Sequence, residues 1–407
     1  MLSVDEALAL VMAHAKARAP RSVRLADALD LVLAEDVASD VDSPPHDKAI
    51  VDGYAVRAAD VDQTPAELAV VEEVTAGAVP TRPVGPGQAS RVMTGAPVPS
   101  GADAMIMIEQ TETATVAADG LGSVRLAPQH VAAGQNIMRR ASSVRRGEIV
   151  LKKGHTIRHV EVGALAEAGR SKVAVFPRPT VAVLPTGNEL VAIDAQPGPG
   201  QIRNSNGPML LAAAQRAGAM PIDLGIGRDD AAQLAQLARS GLEADILVIS
   251  GGVSAGVLDL VPAVLTELGV EQVFHKLRLK PGKPLWFGRL AHVHGDRLVF
   301  GLPGNPVSSL VCFELFVRPA IQRLAGRSGT GLARTRLPLA IDHQHRGDRP
   351  TYHPARITEN GGAAAVEPLV WQGSGDLRAL VAATALIHFP AGDRLFRAGE
   401  VLETLRL

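Results

Sequence analysis

Cysteine is almost absent from this chain of 407 residues: Cys312 stands alone. An internal disulfide is therefore excluded, which fits a reducing, cytoplasmic setting. Aromatic residues are scarce, at 3%, so aliphatic and alanine side chains must fill the cores. Net charge is lacking as well. Lys and Arg number 41 against 42 Asp and Glu, leaving −1, which argues against a surface built around a nucleic-acid backbone. No window approaches the roughly 18 consecutive apolar residues of a membrane span. The opening "MLSVDEALALVMAHAKAR" carries acids where a secretory leader needs positive charge. Ser3 and Glu6 instead form a capping-box pattern, so an amphipathic helix is expected there. Two phosphate-binding fingerprints are also missing: no G-x-x-x-x-G-K-[ST] occurs, and no G-x-G-x-x-G follows a strand.

What is present divides into distinct textures. The length implies roughly two to four domains. From about Leu25 to Phe176 short valine-rich runs are broken by Gly and Pro, as in "AVPTRPVGPGQASRVMTGAPVPSGADAMIMIEQT". Such punctuation predicts strands, with "EVGALAEAG" a helical exception closed by Gly169. From Pro179 to about Gly326 the pattern changes to alternating strands and helices, which predicts a parallel sheet covered on both faces. Its last helix is expected to run unbroken through "NPVSSLVCFELFVRPAIQRLAG", with Cys312 a small buried hydrophobe inside it. "RSGTGLART" reads as a linker, and the remaining residues as a small β-domain.

Ligands of a doubly wound sheet bind outside the carboxyl ends of its strands. Three such ends carry glycine with small hydroxyl or amide residues: "PTGNEL", "SGGVSAG" and "LPGNPVSS". Glycine lets backbone N–H groups approach an anion closely. These loops nominate Thr186, Gly187, Ser250, Gly251, Gly252, Ser254, Gly256, Pro303, Asn305 and Ser308 as a cradle. "KLRLKPGKPLWFG" adds Lys276, Lys280 and Lys283 around a Pro-Gly turn, a rigid clamp for a phosphate or other oxyanion. Asp259 and the pair Asp229–Asp230 can each hold Mg²⁺ beside phosphates or simply cap a helix. "DGYAV", at Asp52–Val56, reads by itself as a turn feeding a strand.

Taken together, "PPHDKAIVDGYAVRAAD", "RVMTGAPVPSGADAMIMIEQT", "VAVLPTGNELV", "ISGGVSAGVLD", "KLRLKPGKPLWFG", "LPGNPVSS" and "GSGDLRALVAATALI" resemble the molybdopterin molybdotransferase family, related to the E domain of gephyrin. The motifs keep the family's order along essentially the whole chain. The resemblance implies an elongated homodimer built from a central doubly wound α/β molybdopterin-binding domain, β-rich N-terminal domains and a small C-terminal β-domain. Its domains would be 1–44 with 144–178, an inserted β-rich domain at 45–143, the α/β domain at 179–326 and the last at 327–407. The implied reaction consumes adenylylated molybdopterin and molybdate and releases AMP, with Mg²⁺ as the metal and a molybdopterin adenylyltransferase as a candidate partner. No nucleic acid and no membrane are expected as partners.

Residue by residue, the resemblance carries functional roles onto Asp52 (reaching in from the partner subunit), Glu189, Asp229, Asp259, Lys276 and Lys280. Asp259 and Asp229 would be the metal ligands. For molybdate it implies Lys283, Ser308, Ser374 and Arg356. Two departures stand out. "GQNIMRRASSV" places Ser142 and Ser143 where the family has Glu and a functional Asp, and "HDKAIV" replaces F-D-x-S-x-M before "DGYA". A serine supplies no carboxylate. The alternative implied by that loss is a catalytically weakened paralogue that holds molybdopterin or molybdate for storage, delivery or scaffolding.

Overall fold

The computed structural model describes residues 1–61, 66–118, 121–126, 130–252, 260–360 and 362–407. Ser254, Gly256 and Asp259 lie outside them. The chain forms two compact units: Met1–Glu35, Lys153–Arg158 and Lys172–Leu407 make one, and Asp36–Lys152 with His159–Ser171 the other.

The larger unit is organised by a six-stranded sheet. Its order is Met220–Asp223, Thr180–Pro185, Ile246–Ser250, Arg297–Leu302, Trp286–Leu290 and Glu271–His275. The first four strands are parallel. Trp286–Leu290 alone runs against them, pairing antiparallel with both its neighbours, so the sheet is mixed rather than the all-parallel one expected. Successive residues of a strand face opposite sides, and both sides are apolar here. Val181, Val183, Ile246 and Val248 enter one core with the helices Val4–His14 and Asn206–Arg216. Ala182, Leu184, Leu247 and Ile249 enter the other with Ala238, Val261 and Leu265 from the helices Ala231–Gly241 and Leu260–Glu267. Continuous apolar strands are what a doubly wound sheet requires.

The expected capping box at Ser3 and Glu6 is formed. The expected long helix is interrupted. Pro306–Cys312 is α-helical, Phe313–Val317 is a π turn, and Arg318–Leu324 resumes the α-helix. Within it Glu314 and Arg318 form a buried ion pair, and Cys312 is fully buried, with burial raising its thiol pKa.

A five-stranded antiparallel sheet completes this unit, ordered Arg334–Pro338, Val401–Arg406, Ala385–Phe389, Thr351–Asn360, Ala363–Pro368. Tyr352, Leu386 and Leu405 join the first α/β core, whereas Ile387, Phe389 and Phe396 form a separate core.

The smaller unit holds a six-stranded sheet with Gly53–Val56 between Ala104–Met107 and Gln88–Val92. A Cβ on Gly53 would collide with the carbonyl of Ile106, so this strand cannot take a larger residue there. No helix among the described residues is long and apolar enough to cross a membrane.

Candidate functional site

The strand order places a topological switch point between Thr180–Pro185 and Ile246–Ser250. The chain leaves the first strand toward one edge and returns to the second on the other side. Loops separate at such a point and open a crevice at the strands' carboxyl ends. The opposite ends are closed electrostatically. Buried Asp245 accepts the Thr180 N–H at 2.8 Å and Arg297 at 2.8 Å, and also pairs with Arg18. A buried carboxylate needs such partners.

At the crevice the loops are held by backbone bonds. Thr186 N–H donates to Ser250 O at 2.9 Å, Gly187 N–H to Gly227 O at 3.0 Å, and Gly251 N–H to Leu302 O at 3.0 Å. Gly251 has φ +103°, and a Cβ there would stand 2.5 Å from the Thr186 carbonyl oxygen. Only glycine fits both demands. Arg228 latches the "GNEL" loop by donating to the carbonyls of Gly187, Asn188 and Leu190 at 3.3, 3.3 and 2.7 Å.

Two cavities open here. The first, of about 510 Å³, is lined by Thr186, Glu189, Arg203, Asn204, Asn206, Ser250 and Asn305 among others. Asn206 donates through Nδ2 to Ser250 Oγ at 2.9 Å and to Gly304 O at 2.7 Å. A carbonyl acceptor fixes the amide orientation, which leaves Asn206 Oδ1 buried without a partner, as is Thr186 Oγ1. Orphaned buried polar atoms are costly. Thr186 and Asn206 line the cavity, while these two oxygens are themselves sealed from solvent within the packed loops.

The second cavity, of about 420 Å³, shares Gly304 and Asn305 with the first. Lys280, Lys283, Arg349, Ser308 and Ser374 line it, with Pro303 and Trp371. Three cations and two hydroxyls in one hollow suit a small dianion. The cradle is rigid. Asn305 Nδ2 donates to Ser374 Oγ at 2.8 Å and Val307 N–H to Ser374 O at 3.0 Å. The lysine-bearing loop is held on both flanks. Arg278 N–H donates to Leu2 O at 2.9 Å, Lys280 N–H to Pro350 O at 2.9 Å, and Tyr352 N–H to Lys280 O at 2.8 Å.

The expected residues divide accordingly. Thr186, Glu189, Ser250 and Asn305 meet at the first cavity, and Lys280, Lys283, Pro303, Asn305, Ser308 and Ser374 at the second. Gly187, Gly251 and Gly252 belong to the loops that shape the first. Asp229 is exposed, with its N–H donating to Asn188 Oδ1 at 3.1 Å. Asp230 caps the next helix through Gln233 N–H. Lys276 is outside both linings and holds φ +69°. Arg356 is also outside them: its strand register pairs it with Glu367, 3.0 Å away. The arginine of the second cavity is Arg349, which sequence reasoning missed. Asn206 was missed too, because "NSNG" reads simply as a helix start. Among the described residues no group of three His, Cys, Asp or Glu could hold a metal.

In the smaller unit, Asp52 is exposed and accepts the Thr94 N–H at 2.6 Å. That backbone donor, with the Thr94 side chain, lowers its carboxyl pKa. Ser142 and Ser143 are exposed, and Ser143 N–H donates to Ser43 O at 3.0 Å. The neighbouring carboxylates of Asp42 and Asp47 are each taken by arginines, Arg140 and Arg139, at 2.6 Å.

Comparison with known proteins covers the whole chain. Family models match as "MoeA N-terminal region (domain I and II)" over residues 2–169, "Probable molybdopterin binding domain" over 182–323 and "MoeA C-terminal region (domain IV)" over 336–407. A molybdopterin molybdenumtransferase of Bacillus subtilis is 33% identical over 409 residues, covering 99% of this chain and 94% of the relative. One from Staphylococcus aureus is 32% identical over 412 residues, covering 99% and 95%. The crystal structure of the molybdopterin biosynthesis MoeA protein of Pyrococcus horikoshii superposes with a TM-score of 0.82 at 31% identity, covering all of both chains.

Proposed function

The chain belongs to the MoeA family, and from that premise we propose that it transfers molybdate onto adenylylated molybdopterin with release of AMP. It is a molybdenum-inserting transferase of molybdenum cofactor biosynthesis. The observation that carries the substrate reading is the pair of joined cavities. One is lined by the hydroxyls and amides of Thr186, Ser250, Asn204, Asn206 and Asn305 together with Glu189 and Arg203. The other gathers Lys280, Lys283 and Arg349. A ligand with a polar heterocycle and phosphates suits the first, and a tetrahedral dianion suits the second. Their shared wall at Gly304–Asn305 sets the two side by side, which supplies the proximity a transfer step needs.

Within this reading Lys280, Lys283 and Arg349 neutralise the molybdate while Ser308 and Ser374 orient its oxygens. Glu189 and Asp229 are the carboxylates available for Mg²⁺, which commonly takes one or two carboxylates plus substrate phosphates. Glu189, which lines the first cavity, suits that sparse mode, whereas Asp229 lies outside the lining. Bound there, Mg²⁺ would offset the charge of the phosphates. Asp259 is assigned to the same task by resemblance. The reading also includes a cytoplasmic homodimer in which Asp52 of the partner subunit, held ionised, closes the cleft, and an adenylyltransferase that supplies the substrate.

Ser142 and Ser143 favour a second reading, a paralogue that binds but turns over slowly. AMP release measured with and without molybdate, for the native chain and Ser143→Asp, separates the two. Equal rates show that the missing carboxylate is immaterial. An inert native chain rescued by Asp supports binding without turnover, and absence of molybdate binding in either chain rejects both readings.

A further inference from the structure

Behind the second cavity lies a cluster of histidines that the transfer reaction leaves unused. His345 is 4% exposed, and its ring stacks on Phe389 at 5.4 Å between centroids with 14° between planes. His343 stacks on the same Phe389 at 4.6 Å, and His353 meets His343 edge-on at 4.9 Å. His353 has a partner, the Leu369 carbonyl at 2.8 Å. His345 Nε2 has none.

Lys280 is one of two charged groups close to that nitrogen, the other being Asp393. A Cβ built on Gly347 would stand 3.8 Å from His345 Nε2 and 3.7 Å from Lys280 Nζ. Both nitrogens therefore border the same small space. Lys280 has its backbone fixed on either side, by Pro350 O and the Tyr352 N–H, so only its side chain can adjust. Its ammonium donates once, to Arg346 O at 3.2 Å, and an ammonium has three donors. One faces the protein here, and two remain for His345 and for the cavity that Lys280 lines.

We propose that His345 is a positioning residue: its Nε2 lone pair and the Arg346 carbonyl hold the Lys280 ammonium at the mouth of the oxyanion cavity. A neutral imidazole is required, since a protonated one would repel the ammonium. Burial, then the Lys280 charge, depresses the His345 pKa, while Asp393 opposes them. The groups facing the ring are Lys280, Asp393, His343, His353 and, across the strand pair, Arg394. The inference rests on the oxyanion reading of the cavity for its consequence; the shared space at Gly347 stands without it, the two nitrogens bordering it with no hydrogen bond between them in this structure.

The test uses the full chain. The ring ¹⁵N signals of His345 are titrated in the native chain and in Lys280→Met, and molybdate affinity is measured by calorimetry for His345→Leu and His345→Gln. The His345 midpoint should rise in Lys280→Met. His345→Leu should weaken molybdate about tenfold, roughly the value of one charge-assisted hydrogen bond, with binding of adenylylated molybdopterin unchanged. His345→Gln, which keeps an acceptor, should recover most of that loss. An unmoved midpoint, or native-like molybdate binding by His345→Leu, overturns the inference. So does parallel loss of both ligands with a lowered Tm, which would show packing alone. A moved midpoint in a chain that binds no molybdate leaves the contact standing and rejects the oxyanion reading instead.

Discussion

The two cavities that meet at Gly304 and Asn305 are built from different kinds of polar group. The first mixes amides and hydroxyls with one carboxylate, Glu189, and one cation, Arg203, around loops issuing from the switch point of the sheet. The second presents two lysines and an arginine, on segments drawn from the α/β part and the C-terminal sheet together. A mixed, directional lining selects a ligand by where its donors and acceptors sit. Clustered cations select by charge and care less about shape. If the proposed assignment of substrates to cavities holds, recognition of the two is separable, and perturbing one cavity should spare the other.

The largest effect expected from that contrast is a pH effect confined to the cationic side. His353 is 8% exposed and meets Trp371, a wall of the second cavity, edge-on at 5.3 Å. Burial pushes its pKa from 6.5 down to about 4. The folded value is depressed, so the unfolded chain takes up the proton first as pH falls. Stability is full above the ordinary value and is lost between it and the folded value. The loss should reach on the order of 3 kcal/mol at the acid end. Denaturant midpoints across that window check it, and His353→Gln should flatten the slope.

Next comes Lys283→Met. Removing one charged donor from the oxyanion hollow should cost about 2 kcal/mol, or some thirtyfold in molybdate affinity, with calorimetric binding of adenylylated molybdopterin unchanged. A matching loss for both ligands would break the separation. Thr186→Val probes the opposite cavity at smaller scale. The variant should leave Tm unchanged or slightly raised, because it deletes an unsatisfied buried hydroxyl. Affinity for the adenylylated substrate should fall by about 1 kcal/mol, while molybdate affinity holds. The smallest effect is a null. Arg356→Ala should leave molybdate affinity unaltered, since Arg356 is paired with Glu367 outside both linings. Arg349→Ala should weaken it about tenfold. Reversed results would return the pocket arginine to the position expected from sequence.

How far the sequence was readable follows from what each feature depends on. The strand-end loops were legible because glycine and proline act locally. Gly251 has to be glycine for reasons its own φ and the Thr186 carbonyl contain. Ser308, Ser374 and Lys283 sit in short motifs whose resemblance is specific, and the structure brings all three to one cavity. Arg349 was not legible. Choosing it over Arg356 requires knowing that Arg356 faces Glu367 across a strand pair, a matter of register rather than composition. The one reversed strand, Trp286–Leu290, was missed because an apolar, buried strand carries no sign of its direction. The π turn at Phe313–Val317 is silent because Glu314 and Arg318 keep the i, i+4 spacing of an ordinary α-helix across it.

One consequence follows from the way the lysine loop is seated. Its backbone is stitched to Leu2 on one flank and to Pro350 and Tyr352 on the other. Leu2 lies far before the loop along the chain, and Pro350 and Tyr352 lie well after it. While the nascent polypeptide ends short of residue 350, Lys280 and Lys283 exist but their cradle does not, because contacts of such separation close late. The proposed oxyanion hollow thus waits on segments well beyond the central sheet, and a product cut before residue 350 should form that sheet without a competent cradle.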